Sequence, residues 1–276
     1  MNKFAIKATA LMLSALGCLG TMTACGGDDD DDNPDLPGTT NGVAGPTSIT
    51  AMGQTFFSFT YDSSNRLTSV KSEDFKMTVS YSPFKVTMTD EDDYSTTTLS
   101  DVSVNSQGYV TRAKVTDKYD GETDVYTTTF EYDSEGHLIK VNTDGDVTTY
   151  SWSNGNLTTV SSEGYPVASF TYSDTPNTAQ VSSPFWGDAF LLTMTNAFGK
   201  TVANLPATML DYSKKITLAY ELNPNGTIKT ETLGYDDISL KLTYNYAGRA
   251  LSADEANPFA AARAPKVPAL FRKARR

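Results

Sequence analysis

Chemistry in this 276-residue chain would have to come from carboxylates, aromatic rings or its two cysteines, because histidine occurs once, as His137. A lone imidazole supports no histidine metal cluster, and no Ser/His/Asp or Cys/His arrangement can be assembled around it. His137 stands where equivalent turns carry Arg66 and Asn156, so a turn-flanking role is expected. Asp90-Glu91-Asp92-Asp93 is dense in acids, but a glycosidase pair needs two carboxyls facing each other across a cleft. Lying between two strand signals, the run reads as an exposed hairpin tip. Asn142-Thr143-Asp144-Gly145-Asp146 starts like a calcium loop, yet position twelve is Ser153 where that loop needs a carboxylate. It too reads as a hairpin turn. There is no Gly-rich phosphate loop of accepted spacing. The sequence therefore assigns no catalytic residue, no metal site and no cofactor.

Aromatic rings offer a second kind of chemistry, stacking on sugar faces while nearby Asp, Asn and Gln bond hydroxyls. Tyr150, Trp152, Tyr165, Phe185 and Trp186 are the rings considered for such a platform. Rings that recur with a repeat are expected in the core. Phe185 and Trp186 stand outside the repeat and lead the candidate binding set, with Trp152 and Tyr165. The 22 Lys+Arg against 33 Asp+Glu set a net charge of −11, which argues against a nucleic-acid partner.

The ends differ from the middle. Lys3 and Lys7 precede an apolar run, Ala8 to Leu19, with no acid before Asp28. That run is too short to span a bilayer and reads as an export signal over residues 1–24. Met22-Thr23-Ala24-Cys25 resembles a bacterial lipobox, which implies lipidation of Cys25 and a membrane partner reached through that anchor. Cys18 is the weaker competitor, inside the apolar run. With Cys18 removed and Cys25 acylated, no thiol remains for a disulfide. Residues 25–46 hold five adjacent carboxylates, Asp28 to Asp32, then a Pro/Gly/Thr/Asn stretch. Mutual repulsion makes this a solvated tether, and its acidic start resembles the surface-export signal of Bacteroidota lipoproteins. Residues 253–276 form a tail with Arg263, Lys266, Arg272, Lys273, Arg275 and Arg276, in which Pro258, Pro265 and Pro268 forbid one regular helix.

Between the ends, over 47–252, the chain repeats itself. Phe59-Thr60-Tyr61-Asp62-Ser63-Ser64-Asn65-Arg66-Leu67 aligns with Phe130-Glu131-Tyr132-Asp133-Ser134-Glu135-Gly136-His137-Leu138. Tyr150-Ser151-Trp152-Ser153-Asn154-Gly155-Asn156-Leu157 is a shorter copy, and Phe170-Thr171-Tyr172 opens another. The aromatic-x-aromatic step places two rings on one strand face, Asp, Ser, Asn and Gly supply the turn, and a second strand follows. Leu67 and Val70, like Leu138 and Val141, are three apart and so point to opposite faces of a regular strand. Either a bulge intervenes or both faces are covered by curling, and curling is the reading adopted.

The expected fold is all-β. It is a curled antiparallel meander of repeated hairpins, an open or partly closed shell, with a short helical/loop insertion near 186–209. The Phe130–Leu138 unit resembles the YD repeats of Rhs-type and teneurin-type β-shells, though only Tyr61-Asp62 and Tyr132-Asp133 keep the Tyr-Asp pair. The lipobox, the poly-Asp tether, the hairpins, Phe198-Gly199-Lys200 and Asn204-Leu205-Pro206 together resemble an uncharacterised family of Bacteroidota lipoproteins. That resemblance implies a β-rich surface or periplasmic lipoprotein and carries over no catalytic residue. The basic tail departs from it.

A membrane-spanning barrel is disfavoured, because the strands are threaded with Thr, Ser and Asp where lipid contact requires an apolar band. The expected function is that of a lipid-anchored, non-enzymatic binding or structural module of the outer membrane, exposed at the cell surface. Its ligand would be a glycan, a peptide or an envelope partner. The alternatives are a carbohydrate-active hydrolase with unidentified acids and a periplasm-facing lipoprotein of an envelope complex.

Overall fold

The computed structural model describes residues 45–73, 75–90, 94–177, 195, 197–211, 214–236 and 238–246. They form sixteen strands. The first eight are β1 (Pro46–Ala51), β2 (Gln54–Tyr61), β3 (Leu67–Lys71), β4 (Phe75–Tyr81), β5 (Phe84–Asp90), β6 (Ser95–Val104), β7 (Val110–Tyr119) and β8 (Glu122–Tyr132). The rest are β9 (Leu138–Thr143), β10 (Asp146–Ser153), β11 (Asn156–Ser162), β12 (Tyr165–Pro176), β13 (Asn204–Asp211), β14 (Lys214–Leu222), β15 (Ile228–Tyr235) and β16 (Ile238–Tyr246). Each pairs antiparallel with its neighbours in sequence, and β1 pairs antiparallel with β16, so the sheet is a closed barrel.

Closure overturns the expected open or partly closed shell. Outward faces such as Thr78, Ser80, Lys85, Thr129 and Glu131 are polar, whereas inward Met77, Val79, Val86, Phe130 and Tyr150 are buried. A meander with one apolar face and no helix to cover it can hide that face only against itself, and closure also removes both edges. The helical insertion is corrected too. Asn204–Asp211 of that stretch is strand β13, and there is no helix among the described residues. Residues 186–194 and 196 lie outside them.

The repeat explains the local geometry. The second ring of each aromatic-x-aromatic step, at the end of an even strand, donates a hydrogen bond to a carbonyl at the start of the preceding odd strand. Tyr61 Oη reaches Pro46 O at 3.0 Å, Tyr81 reaches Leu67 O at 3.0 Å and Tyr132 reaches Val110 O at 2.8 Å. Trp152 Nε1 reaches Leu138 O at 2.8 Å, Tyr172 reaches Leu157 O at 2.7 Å and Tyr246 reaches Ile228 O at 3.1 Å. The remaining two even strands with described ends, β6 and β14, finish on Val104 and Leu222, which have no such donor. These latches satisfy carbonyls where the ladder opens into a turn.

The three-residue spacing of Leu67 and Val70 is produced by a β-bulge, not by the curling adopted from the sequence. The register shifts between Thr60/Tyr61 against Leu67/Ser69, and again between Glu131/Tyr132 against Leu138/Lys140. The same shift recurs at Ser151/Trp152 and at Glu221/Leu222. One extra residue per odd strand turns both apolar side chains inward.

The two ends of the barrel differ. Turns 62–66, 105–109, 133–137, 154–155 and 223–227 lie at one end, together with the described part, 195 and 197–203, of the β12–β13 connection. Part of that connection enters the bore. Val110 N donates to Ala197 O at 2.8 Å, Lys200 N to Gly136 O at 2.9 Å and Ala203 N to Gly155 O at 2.9 Å. Phe198 is fully buried, edge-on to Phe130 at 5.2 Å and 6.5 Å from Phe84. Gly199 has φ +94°, and a Cβ there would stand 2.9 Å from both Gly136 O and the Tyr132 ring. Only glycine fits this crossing. This is the plugged end, and β1 begins and β16 ends there. The opposite end, the rim, carries the odd-to-even hairpins.

A circular barrel of sixteen strands would leave an aqueous bore. Here Val70, Met77, Val86, Leu99, Val115 and Val160 have no solvent exposure. The walls therefore share one side-chain core, as two packed sheets do.

Candidate functional site

His137 sits at the plugged end in the turn joining β8 to β9. Asp133 Oδ1 accepts hydrogen bonds from Glu135 N at 2.9 Å and His137 N at 2.8 Å, while Oδ2 lies 2.9 Å from His137 Nδ1. The imidazole stacks on Trp152, with centroids 4.5 Å apart. Asp62 holds its own turn in the same way, through Ser64 N, Arg66 N and Arg66 Nε. The histidine thus occupies the arginine position of a turn-closing unit, as its place in the repeat implies.

Burial alone would raise the Asp133 carboxyl. Hydrogen bonds from the backbone and ring of His137, with the charge of that ring, hold it below its ordinary value instead. At Asp62 the burial effect is likewise outweighed, by the Arg66 backbone and guanidinium. A carboxyl whose folded-state pKa is depressed contributes stability above its unfolded value, about 3.9, and loses it as pH falls through the folded value. The Asp62→Asn/Asp133→Asn variant is accordingly expected to lose less stability than the parent between pH 7 and pH 3. Urea midpoints at the two pH values check this, and an equal fall in both proteins would refute it.

The core contains a carboxylate that no alignment of the longest repeats suggested. Glu231 of β15 has no solvent exposure and accepts a hydrogen bond from Tyr244 Oη at 2.7 Å; Tyr220 also bonds it. Counting through the bulge, Ile228 matches Leu67, Leu138 and Leu157, so Glu231 takes the inward place of Val70, Val141 and Val160. Burial, then the adjacent carboxylate, push both phenols well above their ordinary pKa. Nearer the rim the inward surface turns polar. Asp117 accepts from Thr97 Oγ1 at 2.6 Å and Tyr126 Oη at 2.7 Å. Among the described residues no group of three His, Cys, Asp or Glu is placed to hold a metal ion.

The large apolar side chains left in water are segregated. Met52, Tyr94, Tyr119, Val125, Tyr165, Leu210 and Ile238 are the exposed ones, with Tyr94 at 87% and Tyr165 at 74%. Every one lies on a rim hairpin or within a few residues of one. Scattered exposed apolar residues need no explanation, but confinement to one end does.

Of the residues singled out in the sequence, Tyr165 is on the rim, at the β11–β12 hairpin. Trp152 is at the plugged end, half-buried and engaged by Leu138 O and His137, so it does not share a platform with Tyr165. Phe185 and Trp186 lie outside the described residues. Asp90 closes β5, and residues 91–93 lie outside the described set. Asn142 to Asp146 is the β9–β10 hairpin, in which Gly145 N donates to Asn142 Oδ1 at 2.9 Å.

These features define a closed, wholly antiparallel β-barrel whose bore is filled by side chains. The chain belongs to the DUF4595 family, a domain of unknown function with a porin-like fold, whose pattern matches residues 58–230. Among solved structures it is similar to a porin-like protein from Bacteroides uniformis, at 19% identity and a TM-score of 0.52, covering 72% of this chain and 91% of that one. It is also similar to a porin-like protein from Bacteroides vulgatus, at 13% identity and a TM-score of 0.46, covering 75% of this chain and 100% of that one. A search of curated proteins found no match.

Proposed function

We propose that this protein is a lipid-anchored, non-enzymatic binding protein of the outer membrane, displayed at the cell surface and meeting its partner with the rim. The observation that carries the reading is the confinement of all seven exposed large apolar residues among those described to the end opposite the one where the chain enters the barrel. Pro46, where β1 begins, is at the plugged end, so a tether from Cys25 enters there and leaves the rim free to be presented away from the anchoring membrane. Tyr94, Tyr119 and Tyr165 supply ring faces there, with Asp120, Glu122, Glu163 and Asp236 beside them as hydrogen-bond acceptors.

Transport through the barrel is the reading a porin-like fold first suggests, and the wall argues against it. Outward Thr, Ser and Lys side chains would meet lipid, where each lysine at mid-depth costs about 2–4 kcal/mol, and the bore is packed with side chains. Purified protein is expected to add no conductance to a planar bilayer. Cys25→Ala is expected to move the chain from the membrane to the soluble fraction. Protease applied to intact cells should release peptides of the parent while a periplasmic control stays whole. Continued membrane fractionation of Cys25→Ala would remove the anchor from this reading, and protection of the parent in intact cells would remove surface display.

A further inference from the structure

The outer wall of β3–β7 is a second surface, and its charge is opposite to that of the molecule. The side chains of Lys71, Lys76, Lys85, Arg112, Lys114 and Lys118 share the outward parity of their strands and are all exposed. Of these six cations only Lys114 has a carboxylate partner among the described residues, Asp101 at 3.5 Å. Other carboxylates of these strands, Asp90 and Asp117, share the inward parity of Met88 and Val115. A chain of net charge −11 thus turns its cations out here and, Asp101 apart, the acids of these strands inward.

Between the cations runs a ladder of hydroxyls. Pairing aligns Thr60 with Ser69, Ser69 with Thr78, Thr78 with Thr87, Thr87 with Thr98, and Thr98 with Thr116. The ladder crosses six neighbouring strands, with rungs about 4.8 Å apart. The next row towards the rim pairs Lys71 with Lys76, then continues through Thr89 and Thr96 to Lys118. On the other side Lys85 adjoins Thr87 on β5, and Lys114 adjoins Thr116 on β7. Lys71 and Lys76 stand directly opposite one another, an arrangement that costs a sheet stability.

We propose that this wall binds an acidic polysaccharide, one bearing uronate or sulfate groups, laid across the strands along the hydroxyl ladder. The lysines and Arg112 on either side meet its charges, and the threonine hydroxyls exchange hydrogen bonds with its sugar hydroxyls. Charge complementarity selects an anionic ligand, and the uninterrupted ladder between cation rows selects one that carries hydroxyls along its length. Nucleic acid and plain polyanions match the cations and can accept from the threonine hydroxyls, but they lack the continuous run of hydroxyls that both donates to and accepts from the ladder. The inference rests on the reading of this chain as a binding protein. Its test uses purified protein in solution, so it can fail while the anchor and rim stand, and the fractionation result above does not bear on it.

The test is affinity electrophoresis and calorimetry of the secreted Cys25→Ala chain with polygalacturonate, dextran sulfate, neutral dextran, polyglutamate and duplex DNA. The two acidic polysaccharides are expected to bind, more weakly as salt shortens the Debye length, and neutral dextran is not. Lys71→Gln/Lys76→Gln/Lys85→Gln/Lys118→Gln should lose at least tenfold in affinity, with an unchanged or raised Tm once the Lys71–Lys76 repulsion is gone. Thr78→Val/Thr87→Val/Thr98→Val should weaken the acidic polysaccharides severalfold and change any residual polyglutamate binding less. Failure of both acidic polysaccharides to bind overturns the proposal. So does equal or tighter binding of polyglutamate or DNA, or indifference to the threonine changes, since each would reduce the wall to an unspecific positive patch. Binding that emerges only after Asp28 to Asp32 are replaced by Asn would make the chain's own acidic run the occupant, and also overturns it.

Discussion

Phe198→Ala is expected to destabilise the barrel by about 3–5 kcal/mol, the range for emptying a large buried aromatic site. Phe198 is wholly buried where the β12–β13 connection enters the bore, packed edge-on to Phe130 and beside Phe84. Its neighbours cannot collapse to fill the space. Phe130 and Phe84 belong to strands paired on both sides, and the backbone on either side of Phe198 is held by the Ala197–Val110 and Lys200–Gly136 bonds. The measurement is urea unfolding of parent and variant with tryptophan fluorescence and far-ultraviolet circular dichroism. A loss below about 1 kcal/mol would mean that the plug is an ornament on a barrel stable without it.

Glu231→Val is expected to cost about 2–4 kcal/mol despite placing in β15 the residue type that the repeat uses at the matching positions. The substitution strands the buried phenol of Tyr244 and the half-buried one of Tyr220, and an unsatisfied buried donor costs about 1–3 kcal/mol. Adding Tyr220→Phe and Tyr244→Phe removes the stranded donors, so the triple variant should recover most of the loss or exceed the parent. Glu231→Gln keeps an acceptor and should fall between. The non-additivity is the discriminating quantity: simple summation of the three single effects would show that Glu231 and the phenols do not act as one unit.

Much of the hairpin pattern was legible because its causes are local. Alternation in Tyr126–Tyr132 sets one inward face, and Asp62 or Asp133 with Asn65 or Gly136 closes a turn within five residues. The role of His137 also follows from its place in the repeat. The bulges were misread because Leu67 and Val70 imply only that something breaks the alternation. Whether that is curling or an inserted residue depends on the register of the partner strand. The latches were illegible for a related reason. Tyr172 as a core ring is expected from spacing, but its bond to Leu157 O requires knowing which carbonyl the turn leaves open.

The surfaces fared differently from the hairpins. Tyr165 and Trp152 look alike in sequence, as rings near turns, yet odd-to-even and even-to-odd turns lie at opposite ends of the barrel. The ring at 165 is bare and the ring at 152 is stacked and bonded. The lysine wall was hidden because Lys71, Lys76, Lys85 and Lys118 are spread over 48 positions of an acidic chain, and only strand pairing assembles them. Glu231 was passed over because β15 follows a degenerate copy of the unit, and its match to Val70 emerges only after the bulge is counted.

By itself the sequence determined the all-β character, the antiparallel hairpins, the polarity of the faces where alternation is unbroken and the turn that holds His137, since these depend on period two and on residues within a few positions. Tertiary structure alone decided closure. The β1–β16 seam joins Pro46 to Tyr246, with Thr47 Oγ1 donating to Asn245 O at 3.2 Å and Asn245 Nδ2 to Ser48 Oγ at 3.1 Å. Whether two strands nearly two hundred residues apart meet depends on the twist and stagger summed over every pair between them, and no local pattern reports that sum.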